Sequence, residues 1–169
     1  MEAVRAMFDI QDFDAQLHIY IDVLVAMLLG GIIGFEREWA HKPAGFRTHT
    51  LVAGSAAFLV GLADTMITTF AGDTAGEHVR ADPVRIVEAI VTGVAFLGAG
   101  TIFRSSGGNT VEGLTTAASI LMVAAVGICI ALDHYALGIT VTITALVILR
   151  IIRMIEVRLI SSKEPRSED

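Results

Sequence analysis

Cysteine is all but missing: Cys129 is the single one in 169 residues, so no internal disulfide can form. It sits in an apolar run and reads as a small buried hydrophobe. Charge is scarce too. Charged side chains make up 18% of the chain, against about 25% in an ordinary soluble domain. The charges gather in the first 20 residues, at the joins between apolar runs and in the last 20. That distribution excludes an ordinary soluble domain. Residues 1–18 carry Glu2, Asp9, Asp12 and Asp14 against Arg5 alone, the reverse of a secretory signal's basic start. With a net charge of −6 and no basic stripe outside the membrane flanks, no nucleic-acid partner is expected. HExxH, the P-loop, the GxSxG elbow and Cys/His metal spacings are all missing, so no enzyme is expected. Ser106-Gly107-Gly108 is a turn, because no GK[ST] follows it.

What is present is hydrophobic length. Apolar residues make up 54% of the chain, and the mean hydropathy is +0.68. Five runs are long enough to span a bilayer, which takes about 20 residues: Ile19–Glu36, Thr50–Phe70, Val84–Phe103, Leu114–Leu132 and Tyr135–Ile152. Tyr20, Trp39 and Tyr135 fall near the expected interfaces, where aromatic rings prefer to lie. The reading is an all-α, polytopic membrane helical bundle with five transmembrane helices. One transmembrane domain covers residues 19–160. An interfacial segment, 1–18, precedes it, and a disordered charged tail, 161–169, follows.

Helix ends have local signals. Asp82-Pro83 reads as an N-cap with proline at the first helical position. Asn109 and Glu112 read as a capping box for the fourth span. Small residues recur four apart at Gly30 and Gly34, Ala53 and Ala57, Ala95 and Ala99, Gly113 and Ala117, and Gly127 and Ala131. Such faces let helices approach closely in lipid, within one bundle or across a homodimer. Orientation follows from basic residues. One side receives nine: Arg37, Lys42, Arg47, Arg104, Arg150, Arg153, Arg158, Lys163 and Arg166. The other receives Arg5, Arg80 and Arg85. The N-terminus is therefore expected outside and the C-terminus in the cytoplasm.

This topology sorts the acids into two groups. Asp22, Asp64 and Glu88 come from three helices and fall in the outer part of the bilayer. Intramembrane acids mark ion paths, and Asp64 is the costly one because it lies deepest. With Thr65, Thr68 and Thr92 nearby, their oxygens would suit a cation such as Mg²⁺ that keeps several waters. The plainer alternative leaves Asp22 and Glu88 at the water interface with Arg85 as a partner. The inner group is Glu36, Arg37, Glu38, Lys42, Arg47 and His49, joined by Arg104, Asn109 and Glu112 from the next join. Arg37 or Arg47 would pair with Glu36 or Glu112 to plug the mouth. The plainer alternative is a loop that only orients the protein.

Two blocks carry a resemblance. Gly34-Phe35-Glu36-Arg37-Glu38 with Lys42-Pro43-Ala44-Gly45-Phe46-Arg47-Thr48-His49 resembles the signature of the MgtC/SapB family of bacterial membrane proteins. Gly93-Val94-Ala95-Phe96-Leu97-Gly98-Ala99-Gly100-Thr101-Ile102, then Asn109, then Gly113-Leu114-Thr115-Thr116-Ala117-Ala118, is similar to its second block. The resemblance covers roughly residues 20–150 and implies a multi-pass protein of the bacterial inner membrane. It implies a link to growth in scarce Mg²⁺ and, in pathogens, to survival inside macrophages. It further implies a regulator of other membrane proteins, such as the proton-translocating ATP synthase. Members of the MgtC type also carry a soluble ACT-like domain, where this chain has a short charged tail. They often have tryptophan then cysteine in the fourth span, where this chain has Leu121 and Met122.

Three functions stay open at this point. A regulator would work through helix and loop contacts with a membrane-protein partner. A Mg²⁺ or other cation carrier or channel would use the intramembrane carboxylates. A structural subunit would need neither. Membrane lipid and a second copy of the chain are the other expected partners.

Overall fold

A computed structural model describes residues 10–73, 82–104 and 111–161. Five helices form among them: α1 Ile10–Trp39, α2 Phe46–Asp73, α3 Pro83–Ala99, α4 Leu114–Ala131 and α5 Tyr135–Ser161. Two short antiparallel strands, β1 Phe103–Arg104 and β2 Val111–Glu112, lie between α3 and α4. Four helices hold apolar stretches long enough to cross a membrane: Phe13–Trp39, Phe46–Ile67, Leu114–Ala131 and Tyr135–Ile152. The all-α membrane bundle expected from the hydrophobic runs is therefore present.

Several boundaries differ from the expectation. α1 begins at Ile10, so residues 10–18 continue the helix of the first span. The rest of the expected interfacial segment, and nearly all of the expected tail, lie outside the described residues. α3 is 17 residues long and stops at Ala99 instead of reaching Phe103. At a rise of 1.5 Å per residue it measures about 26 Å, short of a hydrocarbon core of about 30 Å. It begins as read from the sequence: Asp82 accepts the Val84 N–H at 3.1 Å, and Pro83 opens the helix.

The capping box expected ahead of the fourth span is replaced by another device. Glu112 lies in β2, opposite Phe103, and the cap is Gly113 with φ +91° and no side-chain hydrogen bond. Asn109 lies outside the described residues. A Cβ on residue 113 would run into the Thr101 carbonyl. Glycine is needed there both for the left-handed backbone and for passage beside the end of α3.

α4 is the hub, packing against all four other helices. Half of its apolar window is buried, against 11% of that of α5. That position explains why α4 carries no charge: it meets protein on several sides, whereas α5 turns most of its surface outward. The core is built mainly of small and branched residues from α1, α2 and α4, among them Ala26, Ile33, Ala53, Ala57, Val123 and Val126, with Ile90 and Val94 from α3 and Ala145 from α5. Cys129 is half-buried.

A close crossing joins α1 to α2 through the small residues of the first block. A Cβ on Gly30 would stand 2.6 Å from Ala53 Cβ and 2.7 Å from the His49 carbonyl oxygen. One on Gly34 would stand 2.8 Å from both His49 Cβ and Phe46 Cα. Backbone cannot yield as a side chain can, so glycine sets the distance between these helices.

α1 and α4 end alike. Lys42 N–H donates to the Arg37 carbonyl at 3.0 Å and His41 N–H to the Glu38 carbonyl at 2.9 Å, which is the Schellman arrangement. His134 and Asp133 repeat it on the carbonyls of Cys129 and Ile130 at 2.9 and 3.0 Å. The left-handed position is His41 (φ 54°) in one and Asp133 (φ 60°) in the other, where glycine is the usual choice.

Candidate functional site

The first signature block folds into a tight corner. Glu38, in the last turn of α1, reaches across the turn and accepts the Phe46 N–H at 2.8 Å. It thereby satisfies an otherwise unpaired donor at the start of α2, where a negative charge also suits the helix dipole. Gly45 makes room: a Cβ there would lie 2.8 Å from Glu38 Oε2. Ala44 is buried under the turn, while Lys42, Pro43 and Arg47 stay exposed.

Inside the corner a polar network runs from α1 and α2 to α4. Arg37 is only 3% exposed, and its guanidinium donates to Thr116 Oγ1 at 3.2 Å. His49 is fully buried. Its Nδ1–H donates to the Gly45 carbonyl at 2.8 Å, and Nε2 is hydrogen-bonded to Ser119 Oγ at 2.9 Å. The Thr116 carbonyl, 2.8 Å from Ser119 Oγ, is the other acceptor within reach of that hydroxyl. Thr116 and Ser119 lie three apart, on one face of α4. Two side chains of the first block thus engage one turn of the second. Buried polar groups need such partners, because an unmet one costs about 1–3 kcal/mol.

Of the ion pairs expected at this end, those of Arg47 are not seen among the described residues. Arg47, Arg104 and Glu112 are exposed, and none makes an ion pair there. Glu36 Oε2 is buried without a described hydrogen-bond partner, as is Thr50 Oγ1. Arg37 uses Thr116, because the corner turns the arginine inward against α4 and leaves Arg47 on the outer side of α2. Gly98 packs at ordinary contact distance against Ala117 on α4, and Gly100 caps α3. They position the second block and contribute no polar contact of their own side chains.

The three acids expected to gather elsewhere stay apart. Asp64 and Glu88 are exposed, and neither joins a metal-capable cluster among the described residues. Thr65 and Thr92 donate to carbonyls one turn back on their own helices, Gly61 and Glu88, at 3.1 and 2.7 Å. Asp22 is buried at the other end of α1, about 22 Å from Arg37 by helical rise. It accepts the Tyr135 hydroxyl at 2.5 Å and faces His18 and Asp133.

Sequence reasoning missed Ser119, His18 and Asp133, and treated Tyr135 only as an interfacial ring. Two signals were available. Thr116 and Ser119 share helical spacing, and so do His18 and Asp22. The place of Asp133 depends on the turn after α4, which no periodicity discloses.

A groove of about 680 Å³ lies between α2 and α3, lined by residues such as Leu51, Ser55, Leu59, Ala89, Gly93 and Leu97. Its wall is apolar apart from Ser55 and Arg85.

Long apolar helices packed around a buried polar corner define a multi-pass membrane protein. The MgtC family model matches residues 23–158, and the chain belongs to that family. It is 38% identical over 146 residues to the "Putative magnesium transporter YhiD" of Escherichia coli (strain K12), covering 83% of this chain and 63% of that protein. It is 46% identical over 104 residues to Protein MgtC of Brucella abortus (strain 2308), covering 61% and 38% of the two chains. To Protein MgtC of Salmonella typhimurium (strain 14028s / SGSC 2262) it is 38% identical over 127 residues, covering 75% and 48%. The matched part thus spans less than two thirds of each of these relatives. No solved structure matches the chain.

Proposed function

We propose that this protein is a regulator of the bacterial inner membrane, acting in adaptation to low Mg²⁺ by contact with another membrane protein. The N-terminus faces outside and the C-terminus faces the cytoplasm, which puts the Arg37 corner on the cytoplasmic side. The proton-translocating ATP synthase is the partner class that the family resemblance points to.

The observation that carries this reading is the buried Arg37–Thr116 and His49–Ser119 network, packed where α1 and α2 cross closely. It rivets helices together instead of lining a path. An apolar layer, including Ala26, Leu29 and Ile33 on α1, separates it from Asp22. Asp64 and Glu88, which a carrier would place along a route, are exposed and apart. The groove between α2 and α3 and the outward face of α5 offer apolar surface to a neighbouring helix or to lipid.

ATP-driven proton pumping in inverted membrane vesicles tests the proposal. Adding the chain should slow pumping, and Arg37→Ala should relieve the effect. Pumping that is unchanged by folded wild-type protein overturns the ATP synthase as target. The name of the Escherichia coli relative favours a second reading, cation transport, which is separated from the first by the flux measurement described in the Discussion.

A further inference from the structure

We propose that His18, Asp22 and Asp133 form a binding site for a divalent metal ion of the Zn²⁺ or Mn²⁺ class, at the end of the bundle opposite Arg37. The site is independent of the regulatory reading above.

Two elements build it. His18 and Asp22 are four apart on α1 and so share a face. Asp133 arrives from the turn between α4 and α5, in the left-handed position of the Schellman arrangement. His18 Nε2 lies 3.2 Å from Asp133 Oδ1 and 3.9 Å from Asp22 Oδ2. One ligand atom from each residue lies within 4.8 Å of the other two.

Asp22 gives this cluster its meaning. Its side chain is 6% exposed. Oδ1 accepts the Tyr135 hydroxyl, and Oδ2 faces His18 Nε2 at 3.9 Å. A buried carboxylate is costly unless both charge and lone pairs are met. Oδ2 is thus on the side of the carboxylate that faces the cluster, where a cation would sit between it and His18 Nε2. Tyr135 holds the other oxygen, the outer-shell contact that orients a metal-binding carboxylate.

The donor set selects the ion. Mg²⁺ takes oxygen ligands and gives up water reluctantly. An imidazole nitrogen with two carboxylates suits Zn²⁺, and Mn²⁺ on the carboxylate side. Ligand bonds of about 2.0–2.2 Å hold ligand atoms roughly 3–3.5 Å apart. The His18–Asp133 pair is already at that spacing, and Asp22 needs only a small shift. His18 and Asp133 are 56% and 66% exposed, which leaves an entry path and room for water ligands.

The test is calorimetric titration of the tagless, detergent-purified chain with ZnCl₂, MnCl₂ and MgCl₂ at neutral pH. One saturable site should appear for Zn²⁺ or Mn²⁺, at least about tenfold tighter than for Mg²⁺. His18→Ala and Asp133→Asn should each abolish it or weaken it by about 100-fold or more, while Tyr135→Phe should cost roughly 10-fold. Circular dichroism establishes that each variant is folded. The proposal is overturned if the folded wild type shows no saturable binding of either ion. Binding that persists undiminished in both His18→Ala and Asp133→Asn overturns it equally.

Discussion

His49 on α2 and Ser119 on α4 are joined by a 2.9 Å hydrogen bond between Nε2 and Oγ, although 70 residues separate them. Beside it Arg37 donates to Thr116, so the two signature blocks meet through two parallel contacts. If these contacts hold α1, α2 and α4 in register, breaking either should loosen the bundle. Thr116→Val keeps the shape and removes one acceptor from a buried guanidinium. It should cost about 1.5–3 kcal/mol. Ser119→Ala should cost about 1–2 kcal/mol. Denaturant unfolding in micelles, followed by circular dichroism, measures both.

The glycines differ in what a Cβ would meet: backbone, a neighbouring side chain or open space. A Cβ on Gly34 meets Phe46 Cα and the Gly45 carbonyl oxygen at 2.8 and 2.9 Å, whereas one on Gly93 meets nothing within 4 Å. Gly34→Ala should therefore destabilise by about 1–3 kcal/mol through overpacking. Gly93→Ala should be neutral or stabilising by up to about 1 kcal/mol, since alanine is the better helix former. Equal losses in the two unfolding curves would contradict the assigned crossing.

His41 and Asp133 occupy left-handed positions that glycine fills more cheaply. His41→Gly should stabilise the protein by about 1 kcal/mol. Asp133→Gly should gain less, because it also removes the partner of His18. Thermal unfolding of the two variants side by side checks the order.

Glu38 caps α2 from outside the helix. Glu38→Ala should cost about 1 kcal/mol, while Glu38→Gln keeps an acceptor and should lose less. Amide hydrogen exchange of Phe46 is the local readout: it should quicken markedly in Glu38→Ala and only slightly in Glu38→Gln.

Much of the architecture was legible because lipid leaves so few options. Uninterrupted apolar length located the four long helices, and Asp82-Pro83 marked the start of α3. The exact ends were less visible. Phe103 and Val111 look as fit for a span as for a strand, and only the pairing of β1 with β2 decides between them. In the polar corner, sequence order put Arg37 and His49 in one block, but did not disclose with whom they pair. Charge suggested ion pairs, yet the arginine turned inward meets a threonine hydroxyl, and the histidine a serine. Those partners are set by the glycine-controlled approach of α1 and α2 and by the face α4 presents. Asp22 shows the same limit: three acids at similar depth suggested one cluster, whereas helix rotation sends Asp64 and Glu88 to the surface and Asp22 toward Tyr135.

The central claim is that the protein acts by contact and carries no ion. Mg²⁺ flux into liposomes holding the purified, folded chain tests it most directly, with Asp64→Asn measured alongside. The account predicts uptake no faster than in empty liposomes for both proteins. Saturable uptake by the wild type that disappears in Asp64→Asn would contradict it and make the protein a carrier.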